Sequence, residues 1–203
     1  MKPTMKADAT PNAKLPMNPE DILTPDRLAQ RLRAQNSMPP PAAIGHRVVH
    51  GMLHTQPERV SATLLTELRH IASFDPEHLP REIELIEAMG RHYPDVPQVA
   101  CFDTAFHRGM PTMATLLPIP RRYAAKGVQR YGFHGLSYTY LMQELARLGD
   151  RAASQGRVIL AHLGSGASLA AVLDGRCIDT SMGFTPAAGL VMAHALVIWI
   201  RVS

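Results

Sequence analysis

Three polar side chains and one glycine-rich turn stand at the ends of apolar stretches, where they could do chemistry. Arg47 lies in GHRVVHG, Asp103 in FDTAFH and His134 in RYGFHGLS, and HLGSGAS spans residues 162–168. Arginine offers a forked donor to a carboxylate or phosphate, and an imidazole can donate to negative charge on a transferring group. A carboxylate at a strand end is held rigidly enough for catalysis or metal binding. Two glycines in a tight turn let main-chain N–H groups approach a phosphate.

Each of these features also has an ordinary structural interpretation. Arg47 could be a surface arginine paired with an acid, and Asp103 could form an Asx turn or cap a helix at residues 104–106. His134 could be a loop histidine without a function, and the Gly-Ser-Gly turn could be a bare hairpin. The ten histidines raise the question of zinc. No histidine pair shows helix-face ligand spacing and no cysteine pair lies nearby, so no metal ligand is assigned.

Composition limits the number of domains, the partners and the compartment that the chain can have. The 203 residues suffice for one medium domain or two small ones, and a hydrophobic content of 46% allows a core. The net charge of +4 comes from scattered arginines, and aromatic residues make up only 5%, which argues against a nucleic-acid partner. Cys101 and Cys177 sit in apolar runs, as expected of reduced, buried thiols in a cytoplasmic protein. The N-terminus lacks a secretory apolar segment, and the apolar run 189–200 is too short to span a membrane.

Hydrophobic periodicity predicts alternating helices and strands in the first half of the chain. Residues 1–22 show no period and are expected to be disordered, and SMPPP (37–41) is predicted to be a linker. The helices are expected at 24–35, after a Thr24 cap, at 61–72, after a Ser61 cap, and at 79–91. The strands are expected at 42–51 and 97–107, each running into a polar turn.

The second half of the chain has a different pattern. Residues 128–135 are predicted to form a strand that runs into a loop, and Ser137 is predicted to cap a helix over 138–148 that stops at Gly149. Three short apolar runs then follow, joined by GSG and DG turns, which indicates a β-meander. These runs are RVILAHL, ASLAAVL and RCIDTSM.

The motifs, taken in order, resemble those of acetate kinases, in the family of acetate, propionate and butyrate kinases. The resemblance is carried by IGHRVVHG, VPQVACFDTAFH, RYGFHGLSYTYL and HLGSGASLAAVLDGRCIDTSMGFTPAAGLVM, and it covers about residues 42–192 with consistent spacing. Residues 20–36 fit the helix that precedes the first motif.

This resemblance implies an α/β fold that is a fragment of the two-domain actin, sugar-kinase and Hsp70 (ribonuclease H-like) architecture. Residues 1–41 would be a disordered and helical N-terminal extension, and 42–107 the remainder of the first α/β domain. Residues 108–192 would begin the second, nucleotide-binding α/β domain, and 193–203 would be a tail. The family tends to form homodimers.

The resemblance also implies a function, cofactors and residue roles. The family transfers phosphate from ATP, with Mg²⁺, to a short carboxylate, giving an acyl phosphate and ADP. Asp103 would be the acidic catalytic residue, and His134 would stabilise the transferring phosphoryl group. Arg47 would hold the substrate carboxylate beside an apolar wall. The wall would comprise Val49, Phe133 and Pro186, and the ATP phosphate loop would comprise His162, Leu163, Gly164, Ser165 and Gly166.

The chain departs from the family pattern at several positions. Ser165 stands where the family usually has Asn, Met52 where it has Gly, and Leu136 where it has Thr. The family's opening Asn-x-Gly-Ser phosphate loop has no match in residues 1–41, so the chain is expected to be truncated at both ends and inactive. The alternatives are a non-catalytic fragment and a small carboxylate-binding protein.

The tail after Met192 is expected to be the product of a frameshift. The family continues GLVM with GTRSGDLDPGV, whereas this chain has AHALVIWIRVS. Codons for the family residues encode this tail once a single G is deleted after the Met192 codon, which would leave Ala195 where a second catalytic arginine is expected. A gene in which no single-base insertion restores the family residues would contradict this.

Overall fold

The computed structural model describes residues 24–34, 41–149 and 154–192. The predicted disorder of residues 1–22 and the predicted frameshift of residues 193–203 fall outside these ranges. Two three-stranded sheets organise the described residues, one in each half of the chain. The helices are α1 Pro25–Ala34, α2 Ala62–Ile71, α3 Leu79–His92, α4 Thr112–Thr115, α5 Arg121–Ala124 and α6 Gly135–Arg147. The strands are β1 Ile44–Val48, β2 Glu58–Arg59, β3 Gln98–Phe102, β4 Arg157–Leu163, β5 Ala167–Leu173 and β6 Arg176–Thr180.

The first sheet has the order β1-β3-β2, with β1 parallel to β3 and β2 antiparallel to it. Helix α2 begins after Ser61, whose hydroxyl accepts a 3.1 Å hydrogen bond from the Leu64 N–H, as the predicted cap requires. Helix α3 buries a stripe at helical spacing against β1. The resulting core comprises Val48, Leu64, Leu68, Leu79, Ile83, Ile86, Ala100 and Phe102.

The second sheet is the predicted meander, with β5 paired antiparallel to both β4 and β6. The β5–β6 turn places Asp174 and Gly175 at φ angles of 49° and 76°, a conformation that Asp-Gly pairs adopt readily. One face of the sheet packs on α6 through Tyr138, Leu160 and Val172. Ile159 and Leu163 on the other face stay 67% and 76% exposed.

Two predictions between the sheets were wrong. Residues 128–134 form no strand, because Gly132 (φ 72°) and His134 (φ 61°) leave the extended conformation. Helix α6 begins at Gly135, with His134 before it in the left-handed conformation, so Ser137 lies inside the helix and does not cap it. The predicted stop at Gly149 is confirmed by its φ of 78°.

The 3₁₀ helix Ala105–Gly109 follows Asp103 and contacts both β6 and α6. It therefore joins the first sheet to the second across the predicted domain boundary at residue 107, and that boundary stays a prediction. Among the helices of the described ranges, none is long and apolar enough to cross a bilayer.

Candidate functional site

A cavity of about 880 Å³ opens between the two sheets and collects residues from both. It is lined by all of the predicted site residues except Leu163 and Gly164. Residues separated by more than one hundred positions in the chain, such as Arg47 and Pro186, therefore face one space. Clefts of this size between two structural units are typical of ligand sites.

Arg47 and Asp103 meet because β1 and β3 pair in parallel. The register places Val48 beside Phe102, and the Asp103 N–H donates to the Val48 carbonyl at 2.9 Å. Arg47 donates from Nε (3.0 Å) and Nη2 (2.6 Å) to the same oxygen, Oδ2 of Asp103. The Asp103 side chain is 1% exposed and that of Arg47 is 54% exposed, so the guanidinium lies between a buried anion and the cavity.

The contacts of Arg47 and Asp103 can be compared with their ordinary structural interpretations, a surface ion pair for Arg47 and a turn or helix cap for Asp103. Arg47 is paired with an acid, as the ordinary interpretation has it, but both partners line the cavity. The 3₁₀ helix after Asp103 begins at Ala105, and its N-cap residue, Thr104, makes no side-chain capping hydrogen bond. The carboxylate is the partner that raises the pKa of Arg47 further, so the guanidinium stays charged.

His134 and His162 both line the cavity and form a stacked pair. Their ring centroids are 3.9 Å apart at an interplanar angle of 20°. Nδ1 of His134 shares a 2.8 Å hydrogen bond with the Ser168 hydroxyl, and Nδ1 of His162 shares a 3.0 Å bond with the Ser137 hydroxyl. Burial, and then the neighbouring His162, lowers the pKa of His134 to about 4, so its ring is neutral at pH 7.

The predicted phosphate loop is the tight turn between β4 and β5. The Gly164 N–H donates to the Gly166 carbonyl at 3.0 Å, and Ser165 and Gly166 face the cavity. A Cβ on Gly166 would lie 3.0 Å from Nε2 of His134, so glycine allows the turn to approach that ring closely. Leu163 points away from the cavity and is 76% exposed.

The apolar wall of the cavity contains the three predicted residues and others. Val49 and Phe133 are buried in one cluster with Met182, and Pro186 lines the cavity beside it. The Val49 N–H lies 3.2 Å from both carboxyl oxygens of Glu82. Burial raises the pKa of Glu82 to about 7.

Several lining residues were missed by sequence reasoning. Phe74 and Asp75 come from the segment between α2 and α3, and nothing in their local pattern says which sheet edge they face. Asp75 is 3% exposed, and its Oδ1 lies 2.7 Å from Nδ1 of His78, within hydrogen-bonding distance. Ser168 does not line the cavity but holds His134, and it did carry a signal, because its hydroxyl alternates with Ala170 and Val172 on the inward face of β5.

The described residues do not offer Mg²⁺ a set of ligands. Among them, no group of three or more His, Cys, Asp or Glu side chains could hold a metal ion. The carboxylates that line the cavity are Asp75, Glu77 and Asp103, and one oxygen of Asp103 is taken by Arg47. The described residues do not form a resident Mg²⁺ site.

The described residues thus form an α/β structure with a cleft that an arginine and two histidines line. The profile of the Acetokinase family matches residues 24–195, and the chain belongs to that family. It is 47% identical to an acetate kinase from Rhodopseudomonas palustris over 152 residues and 48% identical to one from Streptomyces coelicolor over 153 residues. Each match covers 74% of this chain and 38% of the relative.

Solved structures agree with the sequence matches. A propionate kinase from Francisella tularensis superposes with a TM-score of 0.75 at 37% identity, over 86% of this chain and 45% of that one. An acetate kinase from Entamoeba histolytica superposes with a TM-score of 0.73 at 32% identity, over 83% of this chain and 42% of that one. The chain thus spans less than half the length of these relatives.

Proposed function

We propose that this chain carries the carboxylate-binding side of an acetate kinase-type site. In the reaction, an oxygen of a short carboxylate attacks the γ-phosphorus of ATP. A new P–O bond gives the acyl phosphate, and the bond from that phosphorus to the β–γ bridging oxygen breaks to release ADP. The observation that carries the proposal is the Arg47 guanidinium, which is anchored on buried Asp103 and faces a cavity with an apolar wall.

Arg47 is suited to hold the carboxylate. Nε and one hydrogen of Nη2 donate to Asp103, so the two N–H groups of Nη1 and the second N–H of Nη2 are the donors left to a ligand. Val49, Phe133 and Pro186 supply apolar contacts for a short acyl chain, since they line the same cavity. A small acyl group against such a wall gains about 0.8 kcal/mol per buried methylene.

His134 is suited to meet the transferring phosphoryl group as a neutral donor. If the Tyr138 hydroxyl donates to Ser168, the Ser168 hydroxyl can donate to Nδ1 of His134. Nε2, the nitrogen nearest Gly166, then carries the hydrogen and can donate it toward a phosphoryl oxygen. Asp103 would orient Arg47, and the 162–166 turn would face the ATP phosphates. ATP is the phosphoryl donor expected from family membership.

Charge limits what this chain is expected to do alone. In-line phosphoryl transfer depends on positioning and on neutralising the charge of the phosphates. Of the described residues that line the cavity, Arg47 is the one arginine or lysine. We therefore expect carboxylate binding without efficient transfer, which makes a small carboxylate-binding protein the second candidate.

A hydroxamate assay tests whether this chain also catalyses the phosphoryl transfer. The purified chain is incubated with acetate, ATP and Mg²⁺, and acetyl phosphate is trapped with hydroxylamine. We expect no ATP-dependent signal from this chain, while a full-length acetate kinase under the same conditions serves as the positive control. Turnover near that of the control would contradict the expectation and assign the complete reaction to this chain.

A further inference from the structure

His107 is a buried imidazole that joins three segments around the cavity without lining it. It is 2% exposed and is carried by the 3₁₀ helix that follows Asp103. Its Nε2 lies 2.9 Å from the Phe133 carbonyl oxygen, and its Nδ1 lies 3.1 Å from Sγ of Cys177 in β6. One side chain therefore connects the first sheet, the loop before α6 and the second sheet.

These contacts determine which ring nitrogen of His107 carries the hydrogen. The Phe133 carbonyl can only accept, so Nε2 donates and Nδ1 of the neutral ring must accept. The single hydrogen of the Cys177 thiol has two acceptors within reach, the Asp179 carbonyl oxygen at 3.4 Å and Nδ1 of His107 at 3.1 Å. We assign it to Nδ1, which is the nearer acceptor and has no other donor among its contacts. Burial lowers the pKa of His107 to about 4 and raises that of Cys177 to about 12, so both are uncharged at neutral pH.

The residue next to Phe133 is His134, which has an unfavourable backbone. Its φ of 61° is uncommon for a residue other than glycine, and the start of α6 has no side-chain cap. Neighbours must hold this conformation. The Gly135 N–H donates to the Asp103 carbonyl at 2.9 Å on one side, and His107 holds the Phe133 carbonyl on the other.

The fit around the His107 ring is close. A Cβ on Gly132 would lie 2.7 Å from two ring carbons of His107. The rings of Phe106 and Tyr138 pack edge-on against the imidazole, at centroid distances of 5.4 Å and 5.8 Å. The imidazole therefore has little room to turn, and the direction of its Nε2–H is fixed.

We propose that His107 is a positioning residue. Its Nε2–H holds the Phe133 carbonyl and, through it, the left-handed His134, while the Cys177 thiol fixes the tautomer that makes this donation possible. The proposal rests on the proposed function only for the task of His134, because the hydrogen bonds themselves do not depend on a substrate.

Two matched variants of the full chain test the donor. In His107→Gln the amide nitrogen takes the place of Nε2, and in His107→Asn it takes the place of Nδ1. ¹⁵N-histidine NMR follows the titration of the His134 ring, whose resonance is assigned with His134→Gln. We expect His107→Gln to keep the parent titration and His107→Asn to raise the pKa of His134 by about one unit, a tenfold change in proton affinity, because the freed ring becomes more hydrated.

The result is decided by the difference between these variants. Equal titration in the glutamine and asparagine variants would overturn the proposal. The parent chain gives an independent test if a variant fails to fold, because ¹⁵N shifts report the tautomer directly. A hydrogen on Nε2 of His107 is expected, and a hydrogen on Nδ1 would overturn the proposal.

A second pair tests the thiol. Cys177→Ser keeps a donor for Nδ1 of His107, whereas Cys177→Ala removes it. We expect the serine variant to retain the parent ¹⁵N shift at Nδ1 and the alanine variant to lose the shift that a donated hydrogen bond causes. The same Nδ1 shift in both variants would overturn the role of Cys177. Failure of the parent chain to bind a short carboxylate would contradict the proposed function and leave all these readouts unchanged.

Discussion

The first sheet holds Arg47 and Asp103 by backbone pairing over a buried core, whereas His134 lies in the loop before α6 and its ring is held to the second sheet by a side-chain hydrogen bond to Ser168. Val48 and Phe102, the neighbours of the charged pair in β1 and β3, are at most 1% exposed. The histidines depend on Ser168 and Ser137, and the outer face of their sheet is partly uncovered. Strand register thus places Arg47, Asp103 and also His162, whereas hydroxyl groups orient the two histidine rings.

The largest effect is expected from the core of the first sheet. Phe102→Ala should lower the free energy of unfolding by about 3–5 kcal/mol, because it leaves a cavity beneath the strand that precedes Asp103. Ile159→Ala, on the exposed face of β4, should change it by less than about 0.5 kcal/mol. Urea unfolding of the two variants measures both values. A similar cost at both positions would contradict the contrast between the sheets.

Breaking the charged pair should have the next largest effect. Arg47→Ala leaves the buried Asp103 carboxylate without its donor, which costs about 1–3 kcal/mol. Arg69→Ala removes an ion pair with Glu87 in which the Arg69 side chain is half exposed, and should cost at most about 1 kcal/mol. If urea unfolding shows Arg69→Ala to be the more costly change, the pair at the cavity is not anchored as described.

Burial of the neutral His134 ring should make the free energy of unfolding depend on pH. An unfolded imidazole binds its proton near pH 6.5, whereas folded His134 binds it at about pH 4, so the unfolded chain holds more protons between these values. The stability from the neutral ring is fully present above pH 6.5 and is lost as the pH falls toward 4. The slope is at most about 1.4 kcal/mol per pH unit for one group.

Urea unfolding at several pH values between 7 and 4 measures this slope. His134→Gln should reduce this slope by up to about 1.4 kcal/mol per pH unit, which is the contribution of one titrating group. The slope that remains includes the contribution of His107, whose pKa is also lowered to about 4. Ile159→Ala serves as a control that removes no titratable group. An unchanged slope in His134→Gln would show that His134 is not buried as a neutral ring.

The smallest effects are expected from two serines that looked alike in the sequence. Ser61→Ala removes the cap of α2 and should lower the free energy of unfolding by about 1 kcal/mol. Ser137→Ala, inside α6, should stay within about 0.5 kcal/mol and instead shift the ¹⁵N resonance of the His162 ring, which loses its hydroxyl partner. A capping-sized loss at Ser137 without a shift at His162 would reverse these roles.

The sequence could predict the meander and two strands of the first sheet because their patterns are local. Apolar alternation and the Asp174–Gly175 turn were sufficient for β4 to β6, and apolar runs that end in polar turns indicated β1 and β3. The parallel pairing that joins Arg47 to Asp103, and the short strand β2, were not predicted. The resemblance to acetate kinases, confirmed by the family match, added the order of the motifs.

Other parts could not be predicted because they depend on long-range contacts. The sequence pattern of residues 128–135 favoured a strand. In the structure His134 is left-handed, and its neighbours Gly135 and Phe133 are hydrogen-bonded to Asp103 and His107, which lie elsewhere in the chain. The contribution of Phe74 to the cavity likewise depends on how the segment between α2 and α3 meets the second half of the chain. Local spacing carries no information about either contact.

The central claim is that Arg47 and the apolar wall bind a short carboxylate, and isothermal titration calorimetry with propionate, without ATP, tests it most directly. The parent chain and Arg69→Ala should bind propionate alike. Arg47→Ala, shown to be folded by circular dichroism, should bind at least about tenfold more weakly, because the charge-assisted hydrogen bonds of the guanidinium are lost. Equal binding by the parent and Arg47→Ala, or no binding by the parent, would contradict the claim.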